Sequence, residues 1–183
     1  MGTRIPPRIA EHEFGKDGEN FRYKTDDGAF VGPYALRTAA PEVGKLAMEL
    51  VYSIGRLPGL PPDAKETAIL ACGGHFQAAY ELYAHQNVAE KAGVLSAAQI
   101  ESIKIDQKPK DLNENSSIAY DVVKRLCSTP GPLPDTLWHA SVTAFGKEGT
   151  IALVHYVRFY AYLCIALNAE ERLRSSIGPE LRT

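Results

Sequence analysis

From Pro41 onward the chain alternates between stretches with apolar residues three and four apart and short interruptions rich in proline and glycine. Leu46, Leu50 and Ile54 recur at every fourth position, with Ala47 and Val51 beside them, which predicts an amphipathic helix to about Arg56. Its start is expected at Thr38 or at Pro41-Glu42, where a proline and an acid suit a first turn. Pro61-Pro62-Asp63 opens the next helix, which is expected to run to about Cys72 and to be interrupted by Gly73-Gly74. Ala64, Ala68, Ile69, Ala71 and Cys72 are small or aliphatic, so this helix can be approached closely. A further helix follows and closes at Ala92-Gly93 with a left-handed cap.

Ser96 then caps a short helix. Ile118, Val122, Val123 and Leu126 mark another, stopped by Thr129-Pro130-Gly131-Pro132. Pro134-Asp135 starts a helix through Phe145-Gly146, and the last runs from Glu148 to about Leu167. That last stretch is apolar nearly all round but carries His155 and Arg158 at its middle, where a bilayer would penalise both. It reads as a core or subunit-interface helix. No stretch alternates like a strand, and no short repeat occurs. The expected fold is all-α: one domain, residues 31–183, of about six to seven helices, preceded by an N-terminal arm over residues 1–30 that is rich in Pro, Gly and charge.

Composition changes this picture little. The formal charge is −2 with no dense basic cluster, so neither nucleic acid nor an anionic membrane is expected as a partner. Cys72, Cys127 and Cys164 lie far apart with no CxxC, which suits buried, reduced thiols in the cytoplasm. The first residues contain no apolar segment of the kind that directs secretion.

Candidate chemistry concentrates between Lys65 and Gly93. At about 100° per residue, Glu81 and His85 fall about 40° apart, within the face formed by Ala78, Leu82, Ala84, Val88, Ala89 and Ala92. A carboxyl and an imidazole on an apolar face must find partners. With Glu66 on the preceding helix they make three titratable groups in surroundings that draw pKa values toward neutrality, as proton transfer requires. Tyr80 and Tyr83 fall toward the polar side. His75, Glu66, Glu81 and His85 would make a mixed oxygen and nitrogen set for a metal, but no familiar ligand motif occurs, and no metal or cofactor is expected. His139 reads as a packing residue, and His155 as a core histidine, with an approach to the site or to a subunit interface as the alternative.

Glu66, Tyr80-Glu81 and His85, followed by Ala92-Gly93-Val94-Leu95-Ser96 and Gln99-Ile100, resemble the carboxymuconolactone decarboxylase family and its alkyl hydroperoxidase D-like relatives. In the peroxidases of that superfamily two cysteines stand between the Glu and the His. Here Ala78 and Glu81 occupy those places, so the resemblance implies the decarboxylase-like branch and disfavours thiol peroxidase chemistry, for which Cys72 has no partner nearby in sequence. It implies an alkyl hydroperoxidase D-like fold, a trimer or hexamer, and a cofactor-free lyase acting on a small carboxylated lactone or related carbonyl compound, or an isomerase or cyclase of similar chemistry. His85 would be the general acid or base, Glu66 would orient it or relay its proton, and Glu81 would set its tautomer or touch substrate. Arg56 is a candidate cation for an anionic substrate, weighed against a plain surface role.

Overall fold

A computed structural model describes residues 32–34 and 40–176, and among these the chain is all-helical with six helices and no strand. The proposed N-terminal arm and the alternative helix start at Thr38 lie outside the described residues. Helix α1 is Pro41–Gly55, α2 Pro62–Phe76, α3 Ala79–Ala92, α4 Ala97–Lys104, α5 Glu114–Ser128 and α6 Asp135–Ser176. Helix α6 is two rods joined at Gly146, whose φ of 68° and ψ of 176° belong to a region that only glycine enters readily. The expected boundary at Phe145-Gly146 is therefore a sharp bend.

Local chemistry explains most ends. Ser96 and Gln99 form a reciprocal capping box at α4: the Ser96 hydroxyl accepts from the Gln99 N–H, and the Gln99 side chain accepts from the Ser96 N–H. The Asn113 side chain caps α5 by accepting from the Ser116 N–H. Gly93, at φ 62°, ends α3 in a left-handed turn, with its N–H bonded to Glu90 O and that of Val94 to Ala89 O.

One expected break is not there. Helix α2 runs straight through Gly73-Gly74 to Phe76, and the turn falls at Gln77, a non-glycine residue at φ 53°. The two glycines are buried contact points. A Cβ on Gly74 would lie 2.1 Å from the Ile103 carbonyl oxygen of α4, and one on Gly73 would lie 2.9 Å from Leu82 of α3. Their missing side chains let two neighbouring helices come close, while the α-helical hydrogen bonds continue.

The centre of the fold is α2. Ala64 and the unbroken run from Glu66 to Gly74 are buried, and α2 packs against α3, α4, α5 and α6. The last helix is less central than its composition suggests. Leu153, Val157, Phe159, Tyr160, Leu163 and Cys164 are buried, but Ile151, Tyr162 and Ile165 are exposed. The 135–169 segment is long and apolar enough to cross a membrane by length and composition, yet 56% of its most apolar window is buried inside the protein. On α1 the stripe also differs from expectation. Ile54 is buried and Ala47 and Val51 pack on the core, whereas Leu46 and Leu50 face outward, because α1 packs chiefly on α6 and uses a single narrow face.

Candidate active site

Helices α2 and α3 bring Glu66, Glu81 and His85 together. Glu66 and Gly73 are seven residues apart, so they lie within about 20° of each other on α2. Both face α3. Gly73 admits Leu82 at one end of the contact, and Glu66 meets His85 at the other. The glycine notch thus belongs to the architecture of the site.

His85 Nδ1 lies 2.8 Å from Glu66 Oε2, a hydrogen-bond distance suited to an N–H donating to a carboxylate. His85 Nε2 lies 3.6 Å from Glu81 Oε2, close enough to interact but longer than a hydrogen bond. Both carboxyls are almost wholly inaccessible, at 4% and 3% of their side-chain surface, while 17% of the imidazole is exposed. Burial pushes the Glu81 carboxyl up from its ordinary range, and His85 opposes this only in part. The Glu66 carboxylate has a second neighbour in Lys65, whose Nζ is 3.6 Å from Oε1.

Aromatic side chains of α6 complete the enclosure. The Tyr160 ring stands edge-on to the His85 ring at 5.1 Å and 89°, Tyr156 stacks on Tyr160 at 6.2 Å, and Phe159 meets Tyr160 edge-on at 5.5 Å. Burial, with Glu81 and Glu66 adding to it, holds the Tyr160 phenol well above its usual pKa, and burial with Glu66 raises Tyr156. Both phenols therefore stay neutral.

A cavity of about 110 Å³ opens onto Glu81 and His85 and is bounded by Tyr34, Tyr80, Phe159, Tyr160 and Leu163. A second cavity of about 110 Å³, lined by Val43, Ala47, Tyr162 and Ala166, shares Pro33, Met48, Phe159 and Leu163 with the first. The two form an acid–base end and an apolar extension between α1 and α6. The described lining of both contains no lysine or arginine.

Several expectations about individual residues change. Tyr80 lines the cavity and is only partly exposed, because the chain at Gly32 lies against its ring; Tyr83 is exposed, as its place on the helix predicts. Arg56 is exposed and donates to Ser53 Oγ on its own helix, outside the cavity lining. His75 interacts with Asp106 at 3.7 Å and Lys124 at 3.2 Å, so it does not join Glu66, Glu81 and His85. Among the described residues no group of three or more His, Cys, Asp and Glu side chains is disposed to hold a metal ion. His155 and His139 are exposed, so neither packs in the core. Cys72 and Cys164 are buried and Cys127 is half-buried. Tyr156, Tyr160 and Lys65 were not legible as site residues. The only available signal was the spacing of Tyr156, Phe159 and Tyr160 on the last helix, one turn apart and so on one face.

No family model matches the chain, and neither a curated protein nor a solved structure similar to it was found.

Proposed function

We propose that the chain is a cofactor-independent acid–base enzyme of the carboxymuconolactone decarboxylase type, with the alkyl hydroperoxidase D-like fold, acting on a small carbonyl compound. The observation that carries this reading is His85 held between two buried carboxyls at the end of an apolar cavity. Glu66 accepts from Nδ1–H and fixes the tautomer, which leaves Nε2 as the proton-accepting atom. Glu81, biased by burial toward its protonated form, is an acid beside that base.

In a lyase reaction the bond from the substrate's α-carbon to a carboxylate breaks, and its electron pair moves into a conjugated carbonyl. The resulting enolate takes a proton at carbon from Glu81 or from protonated His85. In an isomerase reaction Nε2 removes a carbon-bound proton and the same pair returns one at another carbon. Charge favours the second version. A substrate carboxylate would face Glu81 and Glu66, with the partly exposed Lys65 as the cation paired to the site. A neutral carbonyl head with an apolar tail suits both cavities, so the isomerase or cyclase arm and a neutral substrate are preferred over a carboxylated lactone.

The same reading takes the protein as cytoplasmic, as working without a nucleic-acid or membrane partner, and as a trimer or hexamer. Support for assembly comes from the exposed Leu46 and Leu50 of α1 and Ile151, Tyr162 and Ile165 of α6.

The test is to incubate the full chain in D2O with a panel of small α,β-unsaturated ketones and lactones. Proton NMR would follow exchange at carbon or loss of carboxylate. Turnover of at least one compound is expected, with His85→Gln slower by about 10²- to 10⁴-fold, the usual contribution of a general acid–base group. Wild-type turnover by His85→Gln on a confirmed substrate would overturn the assignment.

A further inference from the structure

The cavity between α1 and α6 continues the acid–base site along a defined path. On α1, Val43 and Ala47 line the apolar cavity, Met48 lines both cavities, and Val51 lines the acid–base end. Their spacing puts all four on one face of the helix. On α6 the order reverses. Ala166 and Tyr162 line the apolar cavity, Leu163 and Phe159 line both, and Tyr160 lines the acid–base end. The two helices therefore bound one trough, about 12 Å long from Val43 to Val51 at a rise of about 1.5 Å per residue. Exposed Val43 and Tyr162 mark its outer end, Phe159 and Leu163 are its buried floor, and Glu81 and His85 close its inner end.

We propose that this trough holds an uncharged alkyl tail of about four carbons, with the substrate's carbonyl head at Glu81 and His85, and that Ala47 and Ala166 set the length of the tail. The place of the head rests on the acid–base reading above. The tail subsite rests on the cavity alone.

Chemistry selects the tail. The described lining of the apolar cavity contains no charged side chain, and Tyr162 supplies its only side-chain oxygen. A charged or strongly polar tail would give up its hydration there and gain no partner. Alkyl carbons lose only unfavourable contact with water. Volume selects the length. A dry apolar cavity of about 150 Å³ holds benzene, with its six carbons, so a cavity of about 110 Å³ takes about four. The acid–base end, also about 110 Å³, takes a head of similar size. A longer chain passes Val43 and Tyr162 into water, where each further CH2 adds nothing. Leucine at position 47 or 166 would bring three more carbons than alanine into the wall and shorten the space to match.

The test titrates the full chain in D2O with methyl ketones from acetone to methyl octyl ketone. Saturation-transfer NMR reads affinity, and loss of the α-proton signals reads exchange in the same samples. Affinity is expected to rise about fourfold per CH2 and to level off near methyl pentyl ketone. Ala47→Leu and Ala166→Leu should each move the limit about three carbons shorter. Equal affinity along the series, or affinity that climbs with no limit as on an open surface, would overturn the proposal. So would a limit that folded Ala47→Leu and Ala166→Leu both leave unchanged. Ketone affinity that falls as protein concentration rises would show the trough filled by a second copy, and would overturn it too. The wild-type series decides the matter even if a variant does not fold. Exchange reports on the acid–base reading separately. A chain-length limit without His85-dependent exchange upholds the subsite and counts against catalysis, and exchange without a limit does the reverse.

Discussion

Replacing Gly74 by alanine adds one methyl group where α2 meets the last turn of α4. The added Cβ would sit 2.1 Å from Ile103 O, and Cβ atoms essentially never come within 3.0 Å of such a neighbour, so the contact must open by about 0.9 Å. The obstacle is backbone in a turn that is tied down, since Gln77 Nε2 donates to Lys104 O at 3.0 Å and also to Gly74 O. Overpacking of this kind costs about 1–3 kcal/mol, and occasionally more. Against it stands the helix preference of alanine over glycine, worth about 1 kcal/mol. Gly73→Ala gains the same preference, but its methyl meets the tip of the Leu82 side chain at 2.9 Å, which a small rotation relieves. The expected order is Gly73→Ala close to wild type and Gly74→Ala below both, with a gap of about 2 kcal/mol. At about 2–4 °C per kcal/mol for a chain of this size, the midpoints should differ by roughly 4–8 °C. Urea and thermal unfolding followed by far-ultraviolet circular dichroism measure it. Gly74→Ala as stable as Gly73→Ala would refute the close approach of α2 and α4.

Further outcomes follow from the site and the surface. Glu81 has a raised pKa in the folded chain, so folding favours its protonated form. That contribution is fully present below the ordinary glutamate value of about 4.5 and is lost as pH rises through the higher folded value. Glu81→Gln should therefore gain stability relative to wild type on going from pH 4 to pH 8 in urea titrations; a difference that stays constant or shrinks would contradict the burial argument. His85→Ala leaves two buried carboxyls without their shared imidazole and should lower stability by about 3 kcal/mol at pH 7, the low end for breaking a buried pair because Glu81 can hold its proton. Calorimetry would measure the loss, and a melting midpoint equal to that of the wild-type chain would count against the buried pairing. For assembly, sedimentation of the full chain should give a trimer or hexamer that Leu46→Glu with Leu50→Glu converts to monomer; monomeric wild-type chain at micromolar concentration would refute it.

The parts of the fold that were legible are those settled within one turn of chain. Ser96 with Gln99, Gly93, and the prolines at the starts of α1 and α2 announce their helix ends by local hydrogen bonding or fixed φ. The pairing of Glu66 with His85 was also within reach, because the two stand on consecutive helices. Gly73-Gly74 misled for a physical reason: glycine serves equally where φ must be positive and where a Cβ has no room, and the letters do not distinguish these uses. Gln77 takes the left-handed turn instead, with nothing in its type to mark it. Tyr160 against His85 depends on how distant helices dock, which periodicity along one helix does not encode. Leu46 and Leu50 show the converse, an apolar stripe that the described residues leave exposed.

Helix α2 is enclosed on nearly every side, and this has a consequence for how it is oriented. An amphipathic helix finds its rotation about its own axis by turning its oily side inward. A helix buried all round has no such compass, and apolar burial would tolerate many roll angles. Here the two glycines act as a keyway. Only one rotation offers Gly73 to Leu82 and Gly74 to Ile103 together, and that rotation also delivers Glu66 to His85. A change of roll by one residue, about 100°, would disconnect Glu66 from His85 without exposing any more apolar surface.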